Sequence, residues 1–346
     1  MDLESKLDFS DVLICPRPSA LNSREDVSLT RTYKFVHAPS TWTGTPIMAS
    51  NMDATGTVAM AKALAQEDAI GCLSKYIDRA TLIDALGHHD GRHAFFSMGA
   101  TSAELDRLRS VADSVAVSKI SIEVANGYRD SFVKFVADVR REFPAAIILA
   151  GSVCTPDGTV ALINAGADIA RVGIGSGSVC ITRSIAGIGY PQLSAVIECS
   201  DAAHDLGGLI CSDGGCTVPG DVCKAFCAGA DFVMLGAMFA GHKECDGEIF
   251  YEERDGQKRP VRMKFYGMAS KVAQDEHCGG VPAYAAAEGK CVAVPYRGPV
   301  AATLTEILGG LRSMMTYIDA AEMVALKDKA RFVRVSRQLN TLYGVA

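Results

Sequence analysis

Eight apolar runs of strand length occur along the chain, and each except the last is followed directly by a helix-like segment. The runs are PIMASNM (46–52), AIGCLS (69–74), FFSMGA (95–100), SKISIEVA (118–125), AIILAG (146–151), IARVG (169–173), GLICSDG (208–214) and DFVMLG (231–236). Strands that alternate with helices favour a parallel sheet covered by helices, and eight such units match a closed (β/α)8 TIM barrel, an α/β fold. We therefore predict one barrel domain over residues 1–346. An open doubly wound sheet is the alternative, but it predicts a GxGxxG turn after the first strand, and the sequence has none there.

An internal repeat supports the barrel. The stretch TPDGTVALINAGADIARVGIG (155–175) is echoed by VPGDVCKAFCAGADFVMLGAM (218–238). Each copy has a helix-like segment that begins at a proline, an AGAD turn and an apolar run. Repetition of one supersecondary unit within a chain is typical of folds built by stacking that unit.

The last unit departs from this regularity. Residues 240–300 separate the eighth run from its helix-like segment TEILGGLRSMM, and they carry the charged stretch EERDGQKRP and the glycines of CGG and AAEGK. Long connections in compact domains are usually functional or disordered. In a barrel the active site lies at the carboxyl ends of the strands, so we predict that 240–300 form a mobile lid over that end. A solvated excursion without function is the alternative.

Charge and hydropathy exclude some classes of function. The net charge is −6 and no basic run occurs, so the sequence predicts no nucleic-acid partner and no anionic membrane surface. No apolar stretch approaches the roughly 20 residues that span a bilayer, and the start MDLESKLDFS lacks a secretory pattern. We therefore expect a cytoplasmic protein with no membrane partner.

Twelve cysteines are scattered through apolar segments without a CxxC pair, which favours reduced thiols over disulfides. Cys223 and Cys227 lie one helical turn apart, but no second ligand pair stands at zinc spacing, so ordinary packing is favoured over a metal site.

Cys180 differs from the other cysteines in its surroundings. It ends the run VGIGSGSVC, in which three glycines and two serines leave the backbone free to bend and to expose amide groups. Only the thiolate is a strong nucleophile, and a free thiol with a pKa of about 8.5 is a few per cent ionised at neutral pH, so cations or amides must assist it. Arg183 is close enough in sequence to assist, and Thr182 needs a carboxylate partner to pass protons, for which Glu288 is available. An inert core cysteine is the alternative.

Two glycine-containing loops follow the last two runs. Barrels commonly bind phosphate with these loops, because glycine lets backbone amides approach the oxygens closely. The candidates are Gly214 and Gly215 of SDGGCT, Gly236 and Ala237 of LGAM, and Ser178. Asp213 would repel a phosphate but can accept hydrogen bonds from a ribose diol. The alternative is that these glycines only permit tight turns.

Several motifs together resemble the IMP dehydrogenase and GMP reductase family, from DFSDVLICP near the start to RFVRVS near the end. They are VGIGSGSVCITR, GIGYPQLSAVIECSDAAH, SDGGCTVPGDV, ADFVMLGAM, FYGMAS, AEGK and ILGGLRS. The resemblance implies a barrel that binds a purine nucleotide, with a loop cysteine that attacks C2 of the base to form a covalent thioimidate.

The resemblance is to the reductase branch. IMP dehydrogenases usually carry inserted CBS modules and an Arg-Tyr pair that activates water, whereas this chain has no room for the modules and no arginine between Met268 and Arg297. IEVANGY, YGMAS and AEGK are similar to the reductases, which implies NADPH-dependent conversion of GMP to IMP with release of ammonia. An IMP dehydrogenase without CBS modules and a non-catalytic purine-nucleotide sensor are the alternatives.

The resemblance also implies roles for individual residues. The implied catalytic residues are Cys180, Thr182 and Glu288. The implied contacts of the nucleotide (GMP or IMP) are Met52, Ser178, Asp213, Gly214, Gly215, Gly236, Ala237, Gly267, Met268, Ala269, Ala286, Ala287 and Gly289. The implied contacts of NADPH are Ser23, Arg24, Lys75, Glu123, Val124, Ala125, Ile174, Gly175, Met268, Tyr284, Ala285, Ser313, Met314, Met315 and Thr316. Carbonyl groups of Gly175, Gly177, Cys180 and Arg183 would bind a monovalent cation such as K+, and a homotetramer is implied.

A few positions depart from the family pattern. Ser176 and Ile181 replace a proline and a threonine of the loop, Ala285 stands where reductases commonly have an arginine that touches the cofactor, and Ala269 replaces a serine. These changes bear on cofactor preference rather than on the nucleotide chemistry. For Lys75 a solvated surface lysine is the alternative to a cofactor contact.

Overall fold

The computed structural model describes residues 4–336, so residues 1–3 and 337–346 of the predicted domain lie outside the described range. The strands are β1 (Val12–Ile14), β2 (Arg31–Lys34), β3 (Thr41–Gly44), β4 (Ile47–Ala49), β5 (Ile70–Cys72), β6 (Ala94–Met98), β7 (Lys119–Glu123), β8 (Ile147–Val153), β9 (Ile169–Val172), β10 (Leu209–Asp213), β11 (Phe232–Leu235), β12 (Ile249–Arg254), β13 (Gln257–Tyr266), β14 (Cys291–Pro295) and β15 (Phe332–Arg334). The helices are α1 (Val58–Ala65), α2 (Arg79–Gly87), α3 (Ser102–Ala112), α4 (Asp130–Glu142), α5 (Pro156–Asn164), α6 (Thr182–Ile185), α7 (Gln192–His204), α8 (Pro219–Cys227), α9 (Lys271–His277), α10 (Val300–Tyr317) and α11 (Leu326–Lys329).

Strands β4 to β11 form a closed barrel. They pair in parallel in chain order, and β11 pairs back with β4. These strands coincide with the eight apolar runs, and they are buried almost throughout because helices cover the barrel. The predicted (β/α)8 fold is confirmed, and the open doubly wound sheet is excluded.

Large apolar side chains fill the barrel interior. They are Met48, Ile70, Cys72, Phe95, Ile147, Leu149, Ile169, Leu209, Cys211, Phe232 and Met234. The antiparallel hairpin of β2 and β3 covers the amino end of the barrel, where Tyr33 and Trp42 join the same core. The Tyr33 hydroxyl donates to the carbonyl oxygen of Asp231 at 2.7 Å. With the amino end closed, the carboxyl ends of the strands remain as the face for ligands.

The two repeat copies perform the same structural task. Asp168 and Asp231 directly precede β9 and β11, and both are buried. Asp168 accepts a hydrogen bond from the backbone N–H of Ile148 in the preceding strand at 2.9 Å, and Asp231 accepts the equivalent bond from Ile210 at 3.0 Å. The AGAD turn therefore anchors the amino end of each strand to its neighbour.

The helix after β7 shows how periodicity positions the outer layer. Apolar residues of α4 recur with helical spacing, and Phe132, Val136 and Val139 are buried against the barrel while Val133 and Phe135 are half-buried. Burying one such side chain contributes about 1.5–3 kcal/mol. The predicted helical stripe is therefore confirmed.

The insertion 240–300 contains regular structure. Strands β12, β13 and β14 form an antiparallel sheet, and α9 lies between β13 and β14. The segment after α9 returns to the cysteine loop, where the N–H of Ile181 donates to the carbonyl oxygen of Glu288 at 2.9 Å. The insertion thus packs against the carboxyl end of the barrel, as a lid requires.

All twelve cysteines are free thiols. Cys223 and Cys227 are buried in the core on α8, and Cys227 packs against Met314 with 3.7 Å between the sulfurs. Within residues 4–336, no helix combines the length and the apolar character that crossing a bilayer requires.

Candidate active site

The cysteine loop begins where β9 ends and bends back over the barrel mouth. Gly175 has a φ of +81°, a left-handed conformation that side chains rarely adopt. The loop closes through a hydrogen bond from the Cys180 N–H to the carbonyl oxygen of Gly177 at 3.0 Å. The Ser176 hydroxyl donates to the carbonyl oxygen of Asp213 at 3.2 Å, so the loop is tied to the loop after β10. Cys180 is left half-buried at the carboxyl end of the barrel.

Cys180, Thr182 and Glu288 form one hydrogen-bonded chain. The Cys180 thiol donates to Thr182 Oγ1 at 3.2 Å, and the Thr182 hydroxyl donates to Glu288 Oε2 at 2.7 Å. A hydroxyl has one proton and two lone pairs, so Thr182 can donate to the carboxylate and accept from the thiol simultaneously. The arrangement can therefore move a proton from the sulfur towards the carboxylate, or in the opposite direction.

The insertion places Glu288 by backbone pairing. The N–H of Lys290 donates to the carbonyl oxygen of Val179 at 2.9 Å, which complements the bond between Ile181 and Glu288 and lays 288–290 antiparallel to 179–181. Gly289 is buried at the centre of this ladder, and a Cβ there would lie 2.7 Å from the backbone nitrogen of Ser270. Only glycine fits without a shift, so the distance between Thr182 and Glu288 depends on this close packing.

Several buried cysteines outside the loop have raised pKa values. Burial raises the pKa of Cys72 to about 12, of Cys199 to about 12 and of Cys245 to about 11. Thiols with such pKa values remain protonated at neutral pH and cannot attack an electrophile. These buried thiols are therefore poor candidates for the nucleophile that the loop position of Cys180 predicts.

The two predicted phosphate loops lie at the same end of the barrel. Gly214 and Gly215 both have positive φ values, +87° and +82°, and a Cβ on Gly214 would lie 2.6 Å from Ser176 Oγ. The N–H of Gly215 donates to the carbonyl oxygen of Ser176 at 3.1 Å and is therefore committed within the protein. Across residues 4–336, no carbonyl accepts the N–H of Gly214 or of Gly236, so these two amides can turn to an anion.

Predicted base-site residues meet beside these loops. A Cβ on Gly236 would lie 3.1 Å from Met52 Sδ, and the N–H of the residue after Met52, Asp53, lies 3.4 Å from Met268 Sδ. The structure therefore brings Met52, Gly236 and Met268 together at the mouth. Gly267 is buried, and the N–H of Glu288 donates to the carbonyl oxygen of Ala269 at 3.0 Å. Of the neighbours of Glu288, Ala286 is exposed and Ala287 half-buried.

Arg171, at the end of β9, was missed by the sequence analysis. Its side chain is buried, with Nε donating to Asp213 Oδ2 at 2.8 Å and Nη1 donating to Glu123 Oε2 at 3.0 Å and to Asn51 Oδ1 at 3.1 Å. Burial acts to lower the pKa of Arg171, but the carboxylates of Asp213 and Glu123 outweigh it and raise the pKa well above its ordinary value. The guanidinium therefore stays charged. The sequence feature that could have identified it is a single arginine inside the apolar run IARVG (169–173).

Lys75 faces the same cluster. Its ammonium lies 3.8 Å from Glu123 Oε1 and 5.2 Å from the centre of the Tyr76 ring. Burial acts to lower the pKa of Lys75, but the opposing effects of Glu123 and Tyr76 are larger. The net pKa is raised above its ordinary value, so the lysine stays charged. Lys75 is half-buried and partnered rather than a solvated surface lysine.

The remaining residues predicted to contact NADPH fall into separate groups. Val124 exchanges backbone hydrogen bonds with Gly151 and Ser152 beside Glu123, and Ala125 is exposed next to it. Tyr284 is 93% exposed on the insertion, and Ala285 and Ile174 lie in loops at the same end.

A second group lies around α10. Ser23 caps the short turn that contains Arg24, and this turn packs on the helix, with Arg312 donating to the carbonyl oxygen of Val27 at 2.9 Å. Ser313 and Thr316 of the helix are half-buried, whereas the side chains of Met314 and Met315 are buried in the core. In the described part of the chain, no hydrogen bond or ion pair joins this group to Lys75 or Glu123.

The expected help from Arg183 to the thiol is wrong. The Arg183 guanidinium pairs with Asp8 at 3.2 Å and donates to the carbonyl oxygen of Tyr190 at 2.8 Å, so its charge is directed to the N-terminal segment. Cys180 precedes helix α6, and the Arg183 side chain extends from this helix towards Asp8 and Tyr190. Helix α6 therefore supplies Thr182, but not a cation, to the sulfur.

Backbone oxygens suited to a monovalent cation are present in the loop. Between residues 4 and 336, no N–H donates to the carbonyl oxygens of Gly175, Cys180 or Arg183, whereas the oxygen of Gly177 accepts from Cys180. Uncommitted carbonyl oxygens are the ligands that hard cations prefer. The predicted set fits such an ion.

A further network between the barrel and the insertion was also missed. His277 of α9 lies 2.6 Å from Asp53 Oδ2, and its ring stacks on Tyr76 with 3.5 Å between ring centres. The Tyr266 hydroxyl lies 2.8 Å from Asp53 Oδ2 and 3.1 Å from Glu276 Oε2. These contacts hold α9 against the loops after β4 and β5.

Comparison with known proteins gives a consistent result. The family model described as the IMP dehydrogenase / GMP reductase domain matches residues 6–340. A protein named GMP reductase from Vibrio cholerae is 49% identical over 348 residues, which cover 99% of this chain and 99% of the relative. GMP reductase 1 from Homo sapiens has the same identity and coverage, and GMP reductase from Edwardsiella ictaluri is 49% identical over 345 residues, 99% of this chain and 98% of the relative. The similarity extends over the barrel, the cysteine loop and the insertion.

Proposed function

Because the chain belongs to the IMP dehydrogenase and GMP reductase family, we propose that it is a GMP reductase, an oxidoreductase that converts GMP to IMP and ammonia while oxidising NADPH. The observation that carries this proposal is the hydrogen-bonded chain from Cys180 through Thr182 to Glu288 at the carboxyl end of the barrel. The relatives named GMP reductase, about half identical over nearly the full length, support it.

The first half of the reaction removes the amine. The Cys180 sulfur adds to C2 of guanine, and its proton passes to Thr182 and Glu288. The same pair protonates the exocyclic amine, which leaves as ammonia while the purine stays joined to the sulfur as a thioimidate. A covalent intermediate divides one difficult displacement into two easier steps.

The second half reduces C2. NADPH, when bound, supplies the hydride that adds to C2 of the thioimidate. The bond between carbon and sulfur then breaks, Cys180 leaves as the thiolate, and IMP is released. One proton from solvent, passed through Glu288 and Thr182 to the sulfur, restores the Cys180 thiol for the next GMP.

The other residues bind and orient the nucleotide. Asp213 accepts hydrogen bonds from the ribose hydroxyls, and the free amides of Gly214 and Gly236 turn to the phosphate. Ser178, which is exposed in the cysteine loop, adds a hydroxyl donor to the same anion. This division follows charge, because the carboxylate would repel a phosphate whereas amide N–H groups attract it.

Lys75 and Glu123 would hold the nicotinamide end of the cofactor. They lie at the barrel mouth and form an ion pair, which suits a polar carboxamide group better than an apolar ring. We place the monovalent cation, as K+, on the carbonyl oxygens of the cysteine loop, where it would fix the turn before the nucleophile.

The insertion 240–300 acts as the lid in this proposal. It contributes Glu288 and no arginine between Met268 and Arg297, so the site has no candidate for the water-activating pair of the dehydrogenases. The thioimidate then persists until it is reduced rather than hydrolysed.

We also propose a cytoplasmic homotetramer, and sedimentation velocity that finds only monomers at working concentration would refute the tetramer.

Turnover with the two substrate pairs tests the proposal. With GMP and NADPH, the absorbance of NADPH at 340 nm should fall, and one molecule of ammonia should be released per NADPH oxidised. IMP with NAD+ should not turn over. Cys180→Ser should abolish the reaction, and Cys291→Ser, which changes an exposed thiol on β14, should leave it unchanged. Sustained turnover with IMP and NAD+ alone would indicate a dehydrogenase. Turnover with neither pair, and no adduct with a 2-chloropurine nucleotide by mass spectrometry, would indicate a sensor.

A further inference from the structure

Four charged side chains alternate in sign across the mouth of the barrel. Lys75, Glu123, Arg171 and Asp213 lie after β5, on β7, on β9 and on β10, and successive members are 3.8, 3.0 and 2.8 Å apart. Two cations and two anions leave the row neutral. Each charged group in the row is held by the neighbour of opposite charge beside it, so a change in the position of one group affects the next.

Arg171 is the central member of this row. Its planar fork binds two carboxylates from different strands, and it is only 8% exposed. A half-buried carboxylate loses part of its solvation and gains from a fixed partner, so Asp213 and Glu123 both depend on the same guanidinium for their position. A lysine would bring the charge but not the fork.

Asn51 extends the arrangement to β4. Its Oδ1 accepts from Arg171 at 3.1 Å, which fixes the orientation of the amide. The residue is 2% exposed, and its Nδ2 has no hydrogen-bond partner among the described residues. A buried donor without a protein partner costs free energy unless a ligand accepts its hydrogen bond. Arg171 therefore holds a donor in place for a ligand as well as two acceptors.

We propose that Arg171 is a positioning residue that couples the nucleotide site to the cofactor site, by holding Asp213 on one side and Glu123 with Lys75 on the other. The inference rests on the proposed function, which gives Asp213 to the ribose and Glu123 with Lys75 to the cofactor. A ligand that orders one carboxylate orders the guanidinium, and the guanidinium orders the second carboxylate. Binding of one ligand thereby favours binding of the other.

Binding measurements with IMP and NADPH test this coupling, because IMP has no amine to lose, NADPH cannot accept a hydride, and the pair therefore cannot react. The dissociation constant of IMP is measured by calorimetry with and without saturating NADPH in the wild type, Arg171→Lys and Arg171→Met. We expect NADPH to tighten IMP binding about fivefold or more in the wild type, the lower range for coupled sites. The ratio should fall to about one in Arg171→Met and lie between these values in Arg171→Lys.

A matched control pair lies at the amino end of the barrel. Arg140 of α4 pairs there with buried Asp168, which directly precedes β9. Arg140→Lys should lower the melting temperature but keep the wild-type coupling ratio and the wild-type KM for GMP. A loss of coupling in this control would show that general destabilisation, rather than positioning, explains the effect.

The outcomes separate this inference from the proposed function. If the wild type turns over GMP and Arg171→Met keeps the wild-type ratio and both KM values, the coupling inference is overturned and the function stands. If the wild type shows the coupling but no turnover, the inference stands and the reductase assignment fails. If Arg171→Met does not fold, Arg171→Lys decides, since an unchanged ratio in that variant overturns the inference.

Discussion

Glu288→Gln is the substitution that most directly tests the proton chain. Glutamine has nearly the same size, so it can stay near Thr182, where the oxygens are now 2.7 Å apart. The backbone pairing of 288–290 with 179–181 does not involve the side chain and should persist. What the variant loses is the ability to take a proton through Thr182 and return it to the departing amine.

The expected loss is large and confined to one half-reaction. A positioned acid or base contributes about 10² to 10⁴ in rate. Each tenfold change in rate corresponds to about 1.36 kcal/mol of activation free energy. The variant should therefore raise the activation free energy of ammonia release by about 3 to 5 kcal/mol. The step that transfers hydride to C2 needs no proton from Glu288 and should change by less than about threefold.

Single-turnover experiments can separate the two halves. Quenched flow with GMP measures the rate of ammonia release, and adding NADPH to enzyme already converted to the thioimidate with GMP measures the hydride step as a loss of NADPH absorbance. Ammonia release should slow in Glu288→Gln while the rate of NADPH loss stays near the wild-type value. Equal slowing of both halves would refute the assignment, because it would indicate a misplaced nucleotide rather than a missing proton carrier.

Three further substitutions test the structure around the site. Gly289→Val would place a Cβ 2.7 Å from the backbone nitrogen of Ser270 and should lower kcat at least about tenfold by displacing the relay, whereas Gly220→Ala, where a Cβ meets nothing within 4 Å, should leave steady-state kcat unchanged. Asp168→Asn should lower the free energy of unfolding by about 3 kcal/mol in urea titrations, because it breaks a buried ion pair; a loss below about 1 kcal/mol would contradict this. Burial lowers the pKa of Lys119 to about 8, from 10.5, so the wild type gains stability as pH rises from 8 to 10.5. Lys119→Met should therefore be more stable than the wild type by up to about 3 kcal/mol at pH 7, with the gain shrinking towards pH 10.5 in unfolding titrations, and a constant difference would exclude the effect.

The barrel could be predicted because its signal is local and repeated. Each strand is indicated by a short apolar run, such as AIILAG before α5. Each helix is indicated by apolar residues at helical spacing, such as Phe132 and Val136 of α4. These patterns depend on neighbours a few residues away. Closure of the sheet then follows from the number of units and from the right-handed connections that parallel strands require.

The site was predictable only in part. Cys180 could be selected because its glycine-rich run differs from a core segment, and Glu288 because the resemblance names it. Arg171 could not, since one arginine in an apolar run has no local pattern that says which carboxylates it will meet. Its partners Asn51 and Asp213 lie 120 and 42 residues away in sequence.

The amino-acid sequence by itself determined that this chain folds as a barrel with a cysteine loop after the sixth barrel strand and an insertion after the eighth. Only the tertiary structure decided which charges meet at the mouth, that Arg183 turns towards Asp8, and that Gly289 lets Glu288 reach Thr182. The reason is physical. Periodic burial is encoded over a few residues, whereas electrostatic and hydrogen-bond partners are fixed by closure of the sheet and by the packing of the insertion and the N-terminal segment on it, which bring together groups more than a hundred residues apart.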